Sequence, residues 1–151
     1  MSQEEKVVVS SKNLIPYPYK DTTRIPPKHN GITFTDNGDG SITINGFAEG
    51  AADNSNASSW FRLFSDKEYP FKNVFLSGGV NKNIFIRCTT VNEDGTTTAV
   101  DEKGSGLYME NATIRALIVY VRAGTTVDNV TIYPQLEKGT VATPYTPYVN
   151  F

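Results

Sequence analysis

Oxygen ligands recur in Asp36-Asn-Gly-Asp-Gly-Ser41 and again in Asn92-Glu-Asp-Gly95, and oxygen donors at alternate positions are what a calcium loop requires. The spacing fails that test, because the positions that should carry ligands after Asp36 are Gly38 and Gly40. Turn residues that tolerate positive φ between two apolar runs make a hairpin, the better reading of both stretches. Acid–base chemistry lacks a basis too: Asp and Glu are scattered over loops and turns, with no pair set at a defined separation. The single histidine, His29, follows Pro26-Pro27-Lys28 and reads as a solvated loop residue. The single cysteine, Cys88, closes the apolar run Ile84 to Cys88 and reads as a reduced, buried thiol acting as a small hydrophobe. One His and one Cys leave zinc sites and Ser-His or Cys-His catalysis short of parts. The chain is expected not to be an enzyme and to carry no cofactor.

Aromatic residues offer more. Sugar rings have apolar faces that stack on flat side chains while polar neighbours fix their hydroxyls. In Ser58-Ser-Trp-Phe-Arg-Leu-Phe64 the strand period puts Trp60, Arg62 and Phe64 on one side and Phe61 and Leu63 on the other. Arg62 marks the first side as the wetter one. Trp60 and Arg62 are therefore candidate ligand contacts, with Tyr69, Arg87 and Tyr108 as secondary ones. The competing reading is that Trp60 covers a sheet edge or a loop, and that the others pack or face solvent. Tyr17, Tyr19, Tyr145 and Tyr148 stand in Pro-rich extended segments. Their rings either pack on their own domain or anchor it to a neighbour, where amphipathic rings carry much of the binding energy.

The elements that must position these residues read as strands. In Gly31 to Gly46, Ile32 and Phe34 alternate with Thr33 and Thr35, Ile42 and Ile44 flank Thr43, and Asn37-Gly38 and Asp39-Gly40 lie between, which predicts a β-hairpin. Further strands are predicted at Ala57 to Phe64, Asn73 to Ser77, Ile84 to Val91, Thr96 to Val100, Thr113 to Arg122 and Asp128 to Leu136, separated by Gly-rich turns. Ile114 to Val121 is apolar on both faces and predicts a central strand covered above and below. Helical periodicity never exceeds a turn, apart from a short candidate at Ala51 to Ser59. Pro16 and Pro18 hold their segment extended along an edge, and Pro144 and Pro147 do the same near the C-terminus. The fold class is all-β, an antiparallel β-sandwich.

Bulk properties agree. The 151 residues include 38% hydrophobic and 20% charged side chains with 12 Gly and 8 Pro, a folded, turn-rich composition. A chain of this length forms one domain that buries about 70% of its unfolded surface. Residues 1–12 read as a polar arm suited to attachment, 13–148 as the sandwich module and 149–151 as a tail end. A formal charge of −2 and a pI near 5.4 give no basic footprint, so nucleic acid is not an expected partner. No apolar run is long enough to span a membrane, and Met1 to Lys6 is acidic where a signal peptide would be basic and then apolar. Synthesis in a cytoplasm without a cleaved signal is expected.

Three stretches together resemble a module of bacteriophage virion proteins: Asn13-Leu-Ile-Pro-Tyr-Pro-Tyr19, the hairpin Gly31 to Gly46, and Gly124 to Tyr145, which contains Tyr133-Pro-Gln-Leu-Glu-Lys-Gly-Thr-Val-Ala-Thr-Pro-Tyr145. Similar modules recur in tail, baseplate and fibre proteins of phages and prophages of Gram-positive and gut bacteria. They are similar to jelly-roll carbohydrate-binding modules. The resemblance spans Asn13 to Tyr148, but those modules are often appended to longer tail proteins, whereas here the module is nearly the whole sequence. It implies a jelly-roll fold, a place on a virion made in a bacterial host, other virion proteins as partners, and a homo-oligomer or many copies per particle. It also leaves open a structural calcium held by carboxylates such as Asp101 or Glu102. Two functions follow as expectations: adhesion to host-surface or mucosal glycans, or a purely structural role as a capsid decoration or a head- or tail-fibre protein.

Overall fold

The computed structural model describes residues 12–19, 28–29, 31–49, 59–65 and 68–149. Residues 1–11 of the arm and 51–58 of the helical candidate Ala51 to Ser59 lie outside these residues, and Ser59 opens a strand. Ten strands follow in chain order: β1 (Lys28–His29), β2 (Ile32–Asp36), β3 (Ile42–Phe47), β4 (Ser59–Phe64), β5 (Tyr69–Ser77), β6 (Ile84–Val91), β7 (Thr97–Asp101), β8 (Leu107–Val121), β9 (Thr126–Ile132) and β10 (Gln135–Lys138). They form two antiparallel sheets, a smaller one ordered β1-β2-β3-β9 and a larger one ordered β10-β5-β8-β6-β7, with β4 also pairing β8. The sheets pack face to face as a β-sandwich. No helix occurs among the described residues.

Alternation dictates the core. Ile32, Phe34, Ile42 and Ile44 face inward from the hairpin and meet Phe61, Leu63, Leu76, Ile86, Leu117 and Val119 from the larger sheet. Each such side chain contributes about 1.5–3 kcal/mol when taken out of water. Register confirms the hairpin, with Ile32 opposite Gly46 and Asp36 opposite Ile42. In its turn, the Asp36 carboxylate accepts the Gly38 N–H at 3.0 Å and Asp39 accepts the Ser41 N–H at 2.9 Å.

Three sequence expectations change. β8 is central, but it is not covered on both faces: Ile118 and Tyr120 are half-exposed on its outer side. It also starts at Leu107, because paired exposed residues, Lys72-Asn73 on β5 and Glu110-Asn111 on β8, reverse the inward phase of both strands and hide the alternation. Phe64 does not share the side of Trp60. A bulge between Arg62 and Phe64 inserts Leu63 into the ladder and turns Phe64 inward, where it is 1% exposed. Finally, the predicted strand Asp128 to Leu136 is two strands in different sheets. Tyr133-Pro134 carries the chain across, since Pro134 has no N–H for a ladder. Gly78 admits the crossing, because a Cβ there would collide with the Tyr133–Pro134 backbone.

Candidate functional site

The outer face of the larger sheet gathers aromatic rings and arginines in rows. Registers place Trp60 of β4 opposite Tyr120 of β8, and Tyr120 opposite Phe85 of β6. At the usual strand spacing this ring row is about 10 Å wide. The next outward row runs Arg62, Ile118, Arg87 and Asp101, and on the other flank Arg122 follows Tyr120 at the end of β8. The outward direction follows from the strand period, since Phe61, Leu63, Ile84, Ile86, Val119 and Val121 all point into the core.

Guanidinium groups lie over the rings. Arg62 is 4.9 Å from the Trp60 ring centre, Arg87 is 4.5 Å from Tyr120 and 5.9 Å from Phe85, and Arg122 is 5.5 Å from Phe85. Phe85 and Tyr120 stack at 5.7 Å with planes 9° apart. Phe85 is only 3% exposed although it faces away from the core, so the stack itself shields it. Arg87 donates from Nε and Nη2 to the two Asp101 carboxylate oxygens at 2.8 and 3.2 Å. That hydrogen bond raises the Arg87 pKa further above its ordinary value. Arg122 donates from Nε and Nη2 to the Lys82 carbonyl. Beside the rows lies a cleft of about 390 Å³ lined by Arg62 and Arg115, by Ser65, Thr89 and Thr97, and by Ala116 and Ile118.

Of the sequence candidates, Trp60, Arg62 and Arg87 come together on this face. Tyr69 and Tyr108 do not. Tyr69 packs between Phe64 and Phe71 against the core. Tyr108 lies twelve residues before Tyr120 on β8, about 40 Å at the rise of a strand, and donates to Asn73 Oδ1 at 2.6 Å. Phe85, Arg115, Tyr120 and Arg122 escaped the sequence reading. For all of these but Arg115 the signal is aromatic-x-Arg, which occurs three times, as Trp60-Phe-Arg62, Phe85-Ile-Arg87 and Tyr120-Val-Arg122.

The Pro-Tyr segments form a different assembly, a clamp on the hairpin turn. Tyr17 donates to Asp36 Oδ1 at 2.7 Å, Tyr19 to the Gly40 carbonyl, and Tyr145 to the Asp39 carbonyl at 2.9 Å. A Cβ on Gly40 would run into the Tyr145 hydroxyl. Asn13 ties the same end to the crossing, donating to the Pro134 carbonyl and accepting from the Ile15 and Leu136 N–H groups. Tyr19 is 6% exposed, so its ring packs on its own domain. Tyr148 is half-buried in the same C-terminal segment.

The carboxylates suggested for calcium are otherwise engaged. Asp101 holds Arg87, and the buried Glu102 accepts the Ile86 and Gly106 N–H groups at 3.2 and 3.3 Å, donors that oppose a cation. Desolvation raises the Glu102 pKa against those bonds. Asp39 is held below the ordinary carboxylate range by the Ser41 hydroxyl, and Asp94 by Thr96. Among the described residues no three His, Cys, Asp or Glu side chains gather around a common point. Burial pushes the Cys88 thiol up to about 12, which leaves it protonated and unreactive at neutral pH.

Two other grooves are present. One of about 630 Å³ is lined by Leu14, Pro70, Phe71, Lys72, Asn111 to Thr113 and Lys138, and one of about 580 Å³ lies where β6 diverges from β8. Neither contains a ring paired with a guanidinium. No protein family, curated protein or solved structure matches the chain. The fold and the site therefore define a class only, an antiparallel β-sandwich with an aromatic and arginine-rich sheet face.

Proposed function

We propose that this chain is a non-enzymatic binding module that engages a glycan through the outer face of its larger sheet, and that it is carried in several copies on a bacteriophage particle. One observation carries the binding half: three rings from three neighbouring strands share a register row flanked by arginines. The guanidinium groups laid over these rings donate to the oxygens of a sugar chain, and the half-exposed Trp60 and Tyr120 add apolar contact at their edges. An open face gives modest affinity, which many copies multiply. The virion setting rests on the resemblance of three stretches of sequence. Those stretches meet in the clamp of Asn13, Tyr17, Tyr19, the hairpin turn and Tyr145, a scaffold to which no residue of the outer face belongs.

A multimerised form of the protein on an array of bacterial-wall and mucosal glycans tests this reading. Binding to at least one glycan is expected, reduced tenfold or more by Trp60→Ala combined with Arg122→Ala while the fold persists by circular dichroism. If the folded protein binds no glycan yet still joins particles, the purely structural role replaces it.

A further inference from the structure

We infer that the ligand is an anionic polysaccharide, one whose repeat carries a carboxylate or phosphate recognised by the guanidinium layer. The inference rests on the glycan-binding reading and narrows it. A neutral sugar stacks on bare π faces, but here the faces are occupied: Arg62 lies on Trp60, Arg87 on Tyr120 and Arg122 on Phe85. What an incoming ligand meets is a layer of guanidinium planes backed by rings. Such backing strips water from the cations and strengthens their attraction for an oxyanion.

Charge points the same way. Four of the five arginines in the sequence, Arg62, Arg87, Arg115 and Arg122, lie on this face of a chain whose net charge is −2. Among the described residues, the register rows through the patch contain one carboxylate, Asp101. It engages Nε and Nη2 of Arg87, and Arg62, Arg115 and Arg122 lie outside that pair. The cleft between Arg62 and Arg115 adds the hydroxyls of Thr89, Thr97 and Ser65, a mixture of cation and hydroxyl suited to an acidic sugar. Arginine forks match carboxylate and phosphate geometry two bonds at a time. A single-stranded nucleic acid would instead need open ring faces for its bases, whereas Phe85 is buried and guanidinium groups lie over Trp60 and Tyr120.

The experiment compares the full multimerised chain against a neutral glucan, a polyuronate, a poly(glycerol phosphate) polymer and an oligonucleotide, each at about 50 and 300 mM salt. At the lower salt, the polyuronate or the poly(glycerol phosphate) polymer is expected to bind at least tenfold more tightly than the glucan. Higher salt should weaken that binding several-fold. Arg115→Gln, an exposed substitution that leaves the ring rows intact, should cost about fivefold, and Arg115→Lys less. The two anionic arms show whether carboxylate or phosphate is recognised. Salt-insensitive binding of the glucan alone would overturn the inference and leave the glycan reading standing. No binding to any polymer would remove both, and equal binding of the oligonucleotide would show that no glycan is selected.

Discussion

The guanidinium of Arg87 lies 4.5 Å above the centre of the Tyr120 ring while its fork grips Asp101, so one side chain couples the ring row to the edge strand β7. The pair keeps part of its surface in water, with 33% and 20% of the two side chains exposed, and solvent screening holds its worth to about 1 kcal/mol. Asp101→Ala should therefore cost about 1 kcal/mol. Arg87→Ala should cost about 2 kcal/mol, because it also uncovers the ring stack. Urea unfolding midpoints at an unchanged slope measure both, and equal costs would show that the stack contributes nothing.

Asn13 gives the sharpest stability test. Its buried amide serves three backbone groups, the Pro134 carbonyl and the Ile15 and Leu136 N–H groups. Asn13→Ala leaves them without these bonds in a place water does not reach, and a loss of about 2–3 kcal/mol is expected. Asn13→Asp keeps the acceptor and loses the donor, so it should fall between the two. Thermal denaturation of the three proteins gives the order.

Much of this scaffold is legible in sequence, because strand period alone places Ile32, Phe34, Ile42 and Ile44 inside and puts Trp60, Arg62 and Arg87 outside. What fails is whatever depends on pairing between distant strands. Alternation predicts Phe64 outward, and a bulge set by the register with Leu117 turns it inward. Tyr120 and Ile118 sit in an apolar run that reads as buried on both faces, and only the packed structure shows that both stay half-exposed on the outer one. The motif aromatic-x-Arg can be counted in the sequence, but alignment of its rings follows from registers joining residues 60, 85 and 120. The Pro-Tyr segments admit two readings in sequence for the same reason, since their partners lie across the chain in the hairpin turn.

Alkaline pH should act through the clamp. Burial raises the Tyr17 hydroxyl to about 12, with the Asp36 hydrogen bond adding to it, and burial with the nearby Asp39 charge raises Tyr145 to about 12. Tyr19 is raised as well, by burial first. The folded state thus holds protons that the unfolded chain releases near pH 10. The contribution of Tyr17 and Tyr145 is complete below pH 10 and is lost as pH rises through about 12, and that of Tyr19 is lost later. Stability should hold up to pH 10 with respect to these groups and fall beyond it, and phenolate absorbance of the three should appear together with unfolding. Tyr145→Phe should flatten the fall; an unchanged profile would mean that the clamp does not titrate with the fold.

The C-terminal segment is held by a buried carboxylate, and that predicts where the chain opens first. Glu137 accepts the Gln135 side-chain amide at 2.9 Å, the Thr143 N–H at 3.1 Å and the Thr143 hydroxyl at 2.5 Å. Gln135 in turn accepts the Thr146 N–H at 2.8 Å, so Glu137 organises the backbone from Thr143 to Thr146. A protease needs an extended stretch of chain, and Val141, though exposed, lies just before this tethered segment. Glu137→Ala removes the acceptor for three donors and should raise the population of the locally open form about tenfold, the equivalent of about 1.4 kcal/mol. Thermolysin cleavage near Val141 should accelerate by that factor in native buffer, while the protection of β8 amides against hydrogen exchange falls less. If β8 loses protection in step with cleavage, the C-terminal segment opens only with the whole sandwich, and Glu137 supports the global fold and not a local latch.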